Sequence, residues 1–476
     1  MNVKKSSVVK TVGLFIAVTF AYLLVILLNS EVYLFWLNAG IWAYVLLSIS
    51  GTAVIERLYF LLFGVFFVLP PTILGGMDFL IIGQLYSTIT LEFADTVKLE
   101  ATVSTYMISF FAAVVKGRHH EFEHRVAAPT RIYNTTPYLL ILTGSFAIIL
   151  LFNIREAVEV YNAGYAALFL GELETKKGLV VLFIEFIFIC LSIIGLRHNK
   201  RIALVLFIIY ALSLMGSGQR MPGAMLFIAI FVYSWPHLMQ KNKFILFLIL
   251  GLVVGPPVLM FVQTLRAVGI EGISEIDIVY YYTDIWAVIG QSMDTLKAAI
   301  VSDTFQVTDI SPFAKLYDTL NVIFSRVFNV QLGLDARGFG AAFSQYLAPD
   351  LFSEKKVTFA SSSIAESYYF LGMVGVVLYG IASAFLCRYL TKIIFVGSLF
   401  QLVIFFVFLP RVFTSVRNEL FGWIFEGGIF WGLMTLVMLV MARVFVTTRS
   451  VSSAKNQQEP ESLSITPPKF QGLETP

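Results

Sequence analysis

Four arginines stand at the edges of hydrophobic runs. Arg220 lies in Gly216-Ser217-Gly218-Gln219-Arg220-Met221-Pro222-Gly223, Arg266 follows an apolar run directly, and Arg411 and Arg417 fall in Pro410–Leu420 beside Glu419. A guanidinium carries its N–H donors in a fixed fork that fits phosphate oxygens two at a time, so arginine is the side chain that best grips phosphate. Set at one depth, the four would make a receptor for a lipid-linked diphosphate. Each could equally snorkel to headgroups, with its stem in lipid and its head in water. Arg220 differs from the others, because the Gly-rich turn holds it close to the helices on either side.

Glu366 opens an apolar run in Ser363-Ile364-Ala365-Glu366-Ser367-Tyr368-Tyr369. A carboxylate there can act as a general base or orient a sugar hydroxyl. Ser-x-x-Glu before an apolar run is also the pattern of a helix capping box, and the two roles are compatible. Glu185 and Glu426 lie inside apolar runs, where an ionisable group is costly and needs a partner. Glu275-Ile276-Asp277 has the shape of a metal-binding pair, although a single triplet fits a solvated turn better. There is no GxxxxGK[ST] loop, no HExxH and no histidine beyond His237, so ATP coupling, zinc hydrolysis and a late histidine base find no support. No cofactor is called for. Gly428 and Gly432 form a small-xxx-small pair suited to helix packing.

The elements that must position these residues are membrane helices. The chain is 58% hydrophobic and 13% charged, with a mean hydropathy of +0.83. A soluble domain carries about 25% charged residues, so most of this surface must face the lipid bilayer. A net charge of +3 gives no basic field for nucleic acid. Cys190 and Cys387 lie in apolar runs and imply no disulfide framework. Lys4, Lys5 and Lys10 precede an apolar run too long for a signal peptide and without a small-x-small cleavage site, so it reads as an uncleaved first span.

A span needs about 20 mainly apolar residues. On that measure the expected class is an all-α integral membrane protein with about twelve spans. They are expected near 8–28, 32–50, 58–74, 99–115, 137–153, 178–196, 202–216, 222–235, 244–265, 364–386, 393–409 and 421–445. Phe79–Phe93 carries Gln84 and Glu92 and reads as interfacial or re-entrant. Basic residues fall on alternate loops: Lys4/Lys5/Lys10, Arg57, Lys116–Arg131, Arg197–Arg201, Lys241/Lys243, Arg388/Lys392 and Arg443/Arg449. The positive-inside rule then puts both termini and all five histidines in the cytoplasm. Residues 266–363 become one large outer loop within a single polytopic domain, 1–446. Ser311-Pro312 fits an N-cap and first helical position, and Ile278–Val301 and Phe313–Phe328 show the spacing of short amphipathic helices on the membrane surface. Residues 447–476 are rich in Ser, Gln, Pro and charge and read as a disordered cytoplasmic tail.

One order of features now stands out. A tight Gly-Ser-Gly-Gln-Arg turn between two middle spans precedes a large loop, then Ser362–Gly375, then Arg417-Asn418-Glu419. This order resembles the Wzy-type O-antigen and oligosaccharide repeat-unit polymerases of bacterial inner membranes, over the whole topology but through short motifs. The resemblance implies a polytopic glycosyltransferase of the GT-C type, working on undecaprenyl-diphosphate-linked repeat units as donor and acceptor. It implies a periplasmic site, no metal, and a chain-length regulator as a partner. Carried over residue by residue, Arg220 and Arg417 match the arginines of the turn and the final loop, and Arg266 and Glu366 the ends of the large loop. Glu366, Arg220 and Arg417 are then expected to be catalytic. Arg266, Arg411, Arg337, Gln219 and Tyr369 join the two arginines in holding diphosphate and sugar. The O-antigen ligase of the same superfamily shares the layout but carries a loop histidine, and none is present here. A transporter or flippase would show an internal repeat, which is not visible. A shape-and-division cell-wall polymerase would show a loop aspartate motif, which we do not find.

Overall fold

The computed structural model describes residues 2–49, 53–76, 91–116, 130–132, 135–163, 179–217, 220–236, 293–301, 362–416 and 420–448, with single positions between 310 and 342. The expected ninth span (244–265) and the segment 449–476 lie outside the described residues. So do Gln219, Arg266, Arg337 and Arg417, and of Arg220 only the backbone is described.

The described chain is almost wholly helical: α1 (Asn2–Leu28), α2 (Glu31–Ser48), α3 (Val54–Phe67), α4 (Leu69–Gly76), α5 (Phe93–Lys116), α6 (Thr135–Ala163), α7 (Leu179–Arg197), α8 (Arg201–Gly216), α9 (Arg220–Ser234), α10 (Ser363–Val396), α11 (Leu399–Thr414) and α12 (Leu420–Phe445). Five of these contain stretches long and apolar enough to cross a membrane: Glu31–Ser48, Phe93–Val115, Thr135–Glu159, Val180–Arg197 and Ser363–Phe395. Val12–Leu28, Arg201–Gly216, Pro222–Ser234, Leu399–Thr414 and Trp431–Phe445 are apolar but shorter. Leu27, Phe20 and Leu151 are 83%, 70% and 69% exposed, which in water would be a large unfavourable surface and in lipid is none. The chain is a multi-pass helical membrane protein.

Several boundaries differ from the expected ones, each for a local reason. Arg57 sits in the first turn of α3 and not in a loop, and its Nη2 donates to the carbonyl of Ile49 at 2.6 Å, just past the end of α2. Arg388 and Lys392 were expected between spans, yet α10 runs on to Val396. The Arg388 guanidinium donates to the carbonyls of Ala113 (3.3 Å) and Val114 in the last turn of α5, groups that lack helical partners. The turn falls instead at Gly397-Ser398, where Ser398 and Gln401 form a reciprocal capping box that starts α11. That helix continues through Pro410 to Thr414, so Arg411 belongs to its last turn and not to a loop. Two three-residue strands, β1 (Thr130–Ile132) and β2 (Val446–Thr448), pair antiparallel and tie the entry of α6 to the exit of α12. They are too short to leave a periodic pattern, and they take Thr447 and Thr448 out of the expected tail. Residues 293–300 form a helix, but Met293, Leu296, Ala298, Ala299 and Ile300 are buried in the main core. This part of the loop docks into the bundle and does not lie on its surface.

The broadest packing among described helices joins α5 and α10. Gly380 makes this possible, since a Cβ there would lie 2.2 Å from Ser109 Oγ, 3.0 Å from the Tyr106 carbonyl oxygen and 3.2 Å from the Phe110 nitrogen. Two of those neighbours are backbone and cannot swing aside. Where the interior must be polar, groups pair across helices. Tyr22 OH and Ser104 Oγ lie 2.8 Å apart, and both donate to Asn38 Oδ1. Asn38 Nδ2 donates to the Glu100 carbonyl (3.0 Å) and side chain. Gly380→Ala should cost about 1–3 kcal/mol by forcing the two helices apart, read as a lower thermal unfolding midpoint in detergent. An unchanged midpoint would contradict the close crossing.

Candidate active site

Within the bundle the start of α10 packs against the end of α11. Ser363 N–H donates to the Ser415 carbonyl at 3.2 Å. Tyr379 OH, beyond the fold of α10 at Gly372, returns to the same place and lies 3.1 Å from Ser415 Oγ and 2.9 Å from Tyr59 OH. Tyr106 OH donates to Tyr59 OH at 3.0 Å. This chain of hydroxyls joins α3, α5 and α10 to the Ser415 end of α11 inside a low-dielectric core, where an unmade hydrogen bond costs about 1–3 kcal/mol. The helix that carries Glu366 is therefore fixed relative to the one that carries Arg411.

The α10 N-terminus removes the capping-box reading of Glu366. The N-cap is Ser362 and not Ser363, and its Oγ accepts from Ala365 N–H at 3.2 Å. The capping-box position is then occupied by Ala365, and Glu366 is one residue too late to close the box. The Glu366 N–H makes the first helical bond to the Ser362 carbonyl (3.0 Å), and its residue is only 2% exposed. A buried carboxylate that does not cap its helix needs another reason to be there. Gly372, with φ +59° and ψ −148°, kinks α10 just beyond this segment and sets Glu366 to Tyr369 off from the long span. A residue with a Cβ would be strained at that φ.

Tyr369 packs against Phe339 of the large loop with ring centroids 5.4 Å apart, two positions after Arg337. Lys98 of α5 reaches the same corner, with its Nζ 3.4 Å from the Ile300 carbonyl and 5.7 Å above the Tyr368 ring. Arg411 folds back along α11, its Nη1 donating to the Val407 carbonyl at 3.0 Å, and stays part-buried. Arg220 opens α9. Glu366 and Tyr369 thus stand on the short first segment of α10, which is joined through Ser363 to the Ser415 end of the helix that carries Arg411, and Tyr369 also touches Phe339. Lys98 and Glu100 carry no signal in the sequence beyond standing at the edge of the apolar run that begins at Leu99. Glu100 is 1% exposed, with one carboxyl oxygen on Asn38 and the other, Oε1, buried without a hydrogen bond. Among the described residues no cluster of His, Cys, Asp and Glu could hold a metal ion.

A family model described as O-antigen polysaccharide polymerase Wzy matches residues 9–450, nearly the whole chain. The chain belongs to this family. No curated protein and no solved structure matches it. As a Wzy family member it is a membrane polymerase of the glycosyltransferase type, acting on lipid-linked repeat units in polysaccharide biosynthesis.

A general-base role for Glu366 predicts that Glu366→Gln loses polymer formation by at least about a hundredfold, the lower range for such a group, with membrane level and thermal stability retained. A fully active Gln variant would remove the carboxylate from the chemistry.

Proposed function

We propose that the chain transfers a growing O-antigen glycan from undecaprenyl diphosphate to the non-reducing end of a newly arrived undecaprenyl-diphosphate-linked repeat unit. The acceptor hydroxyl attacks the anomeric carbon of the donor. That carbon's bond to the diphosphate oxygen breaks, the new glycosidic bond forms, and undecaprenyl diphosphate leaves. Glu366 takes the hydroxyl proton. Arg220, Arg417, Arg266 and Arg411 stabilise the charge that gathers on the leaving diphosphate, without a metal, and Arg337, Gln219 and Tyr369 position sugar and phosphate. The loop over the site excludes water that would hydrolyse the donor.

The observation that supports this most is the burial of Glu366 at a helix start where it does not serve as a cap, beside the Arg411 end of α11. The same reading gives twelve spans, both termini in the cytoplasm of a bacterial inner membrane, a periplasmic loop 266–363 and a single polytopic domain, on the strength of the alternating basic loops. A chain-length regulator of the same pathway is the expected protein partner. The ligase reading is weaker for want of a histidine in the loop, and the flippase reading for want of an internal repeat.

Deletion of the gene separates the readings. A polymerase mutant keeps its ligase and should make lipopolysaccharide capped with a single repeat unit. Arg220→Ala should reproduce that phenotype at normal protein level, and Arg220→Lys should restore little, since an ammonium lacks the bidentate fork. Bare core with long polymer left on undecaprenyl diphosphate would instead assign the ligase reaction. Bare core with unpolymerised units trapped on the inner leaflet would assign a flippase.

A further inference from the structure

The first residues of α10 do not lie in line with the rest of that helix. Ser363 and Tyr379 are sixteen positions apart, which in a straight helix is about 24 Å. Both nevertheless meet Ser415: Ser363 N–H reaches its carbonyl at 3.2 Å, and Tyr379 OH lies 3.1 Å from its Oγ. The Ser363 side chain is also within hydrogen-bonding reach of Tyr379 OH. The chain reverses at Gly372, where φ is +59° and ψ −148°, a conformation that strains any residue with a Cβ. The two arms then close at Gly375. A Cβ there would run into the Ser367 carbonyl oxygen, and would lie 2.8 Å from the Leu371 Cβ and 3.0 Å from the Ser367 carbonyl carbon. Along an unbroken helix Ser367 and Gly375 would stand about 12 Å apart.

Burial runs in the direction that this reversal requires. Ser363 and Ala365 are 0% exposed and Glu366 2%, whereas Leu371 is 61% and Val374 65% exposed. The start of the short arm is its innermost part, and Gly372 is its tip. A single span beginning at 364 would put them in the opposite order. From the tip, Met373–Val396 covers about 36 Å, enough by itself to cross a hydrocarbon core of about 30 Å.

We infer that Ser363–Leu371 is a re-entrant half-helix that carries Glu366 down into the bundle, about 9 Å below the Gly372 tip, and that Gly375 is its positioning residue. Only a glycine at 375 lets the arms close, and closure sets the depth of the carboxylate. Broken helices at membrane depth are tolerated where protein buries them, and in transporters they frame binding sites. The acceptor hydroxyl then loses its proton inside the bundle and not at its surface. The catalytic purpose rests on the general-base reading of Glu366; the fold-back does not.

Two measurements on the full-length protein test this. In the first, single cysteines at Ser363, Ala365 and Leu371 meet a charged thiol reagent in membrane fragments open on both faces, with buried Cys190 and Cys387 as background. Leu371→Cys should label, and Ser363→Cys and Ala365→Cys should not. Labelling strongest at Ser363→Cys and absent at Leu371→Cys is the order of a straight span and would overturn the proposal. In the second, polymer formation from lipid-linked repeat units is followed. Gly375→Ala should lower turnover about a hundredfold at unchanged KM, the cost of about 1 Å of misplacement. Gly372→Ala, whose added Cβ meets open space and strains only φ, is the milder companion and should act in the same way. In a Glu366→Gln background neither change should cost anything further, because nothing is left to position. Full turnover in both glycine variants, or equal losses in the two backgrounds, would overturn the positioning role. Failure of the general-base reading shows separately, as a fully active Glu366→Gln beside the expected labelling order.

Discussion

The 3.2 Å hydrogen bond from Ser363 N–H to the Ser415 carbonyl is the junction on which the rest of this structure depends. It joins the start of one helix to the end of the next, after the chain has folded at Gly372, run on to Val396 and returned along α11. In lipid the two helices gain little from hydrophobic attraction, so their register must come from close packing and from polar groups that find each other. The hydroxyls of Tyr379, Ser415, Tyr59 and Tyr106 extend the junction inward, and Gly380 lets α10 approach α5 closely enough for them to meet. Glu366 and Arg411 inherit their placement from this frame.

The described part of the large loop is held by buried contacts: residues 293–300 enter the core, Phe339 stacks near Tyr369, and Lys98 reaches the Ile300 carbonyl. In the proposed transfer, a segment anchored into the bundle would exclude water better than a helix resting on the membrane surface. Glu100, paired with Asn38, is a second buried carboxylate on α5, within electrostatic reach of Lys297 in the 293–300 helix and outside the motif order of the sequence.

Much of this was legible in the sequence. Hydrophobic runs gave the helices, and the order of the Gln219-Arg220 turn, the long loop, Glu366 and Arg417 gave the family that residues 9–450 match. What was not legible depends on partners remote in sequence. Arg388 looks like a loop residue until Ala113 and Val114 supply their carbonyls, which lets α10 run another two turns. Pro410 looks like a helix end, but a helix whose neighbours are already packed continues through it to Thr414. Ser362 and Ser363 compete for the N-cap with the same side chain, and only the Ser363–Ser415 contact shows which of them wins. That one-residue difference removes Glu366 from a structural role that its spacing alone had offered.

The central claim is that this end of the bundle joins two lipid diphosphates without metal or nucleotide. Its most direct test is purified protein in detergent, given only undecaprenyl-diphosphate-linked repeat units in the presence of a chelator. The account predicts a ladder of lipid-linked polymer, with one undecaprenyl diphosphate released for each linkage formed. Contradiction would be glycan transfer that begins only when a lipid A core acceptor is added, or repeat units that remain single while polymerisation waits on a divalent metal.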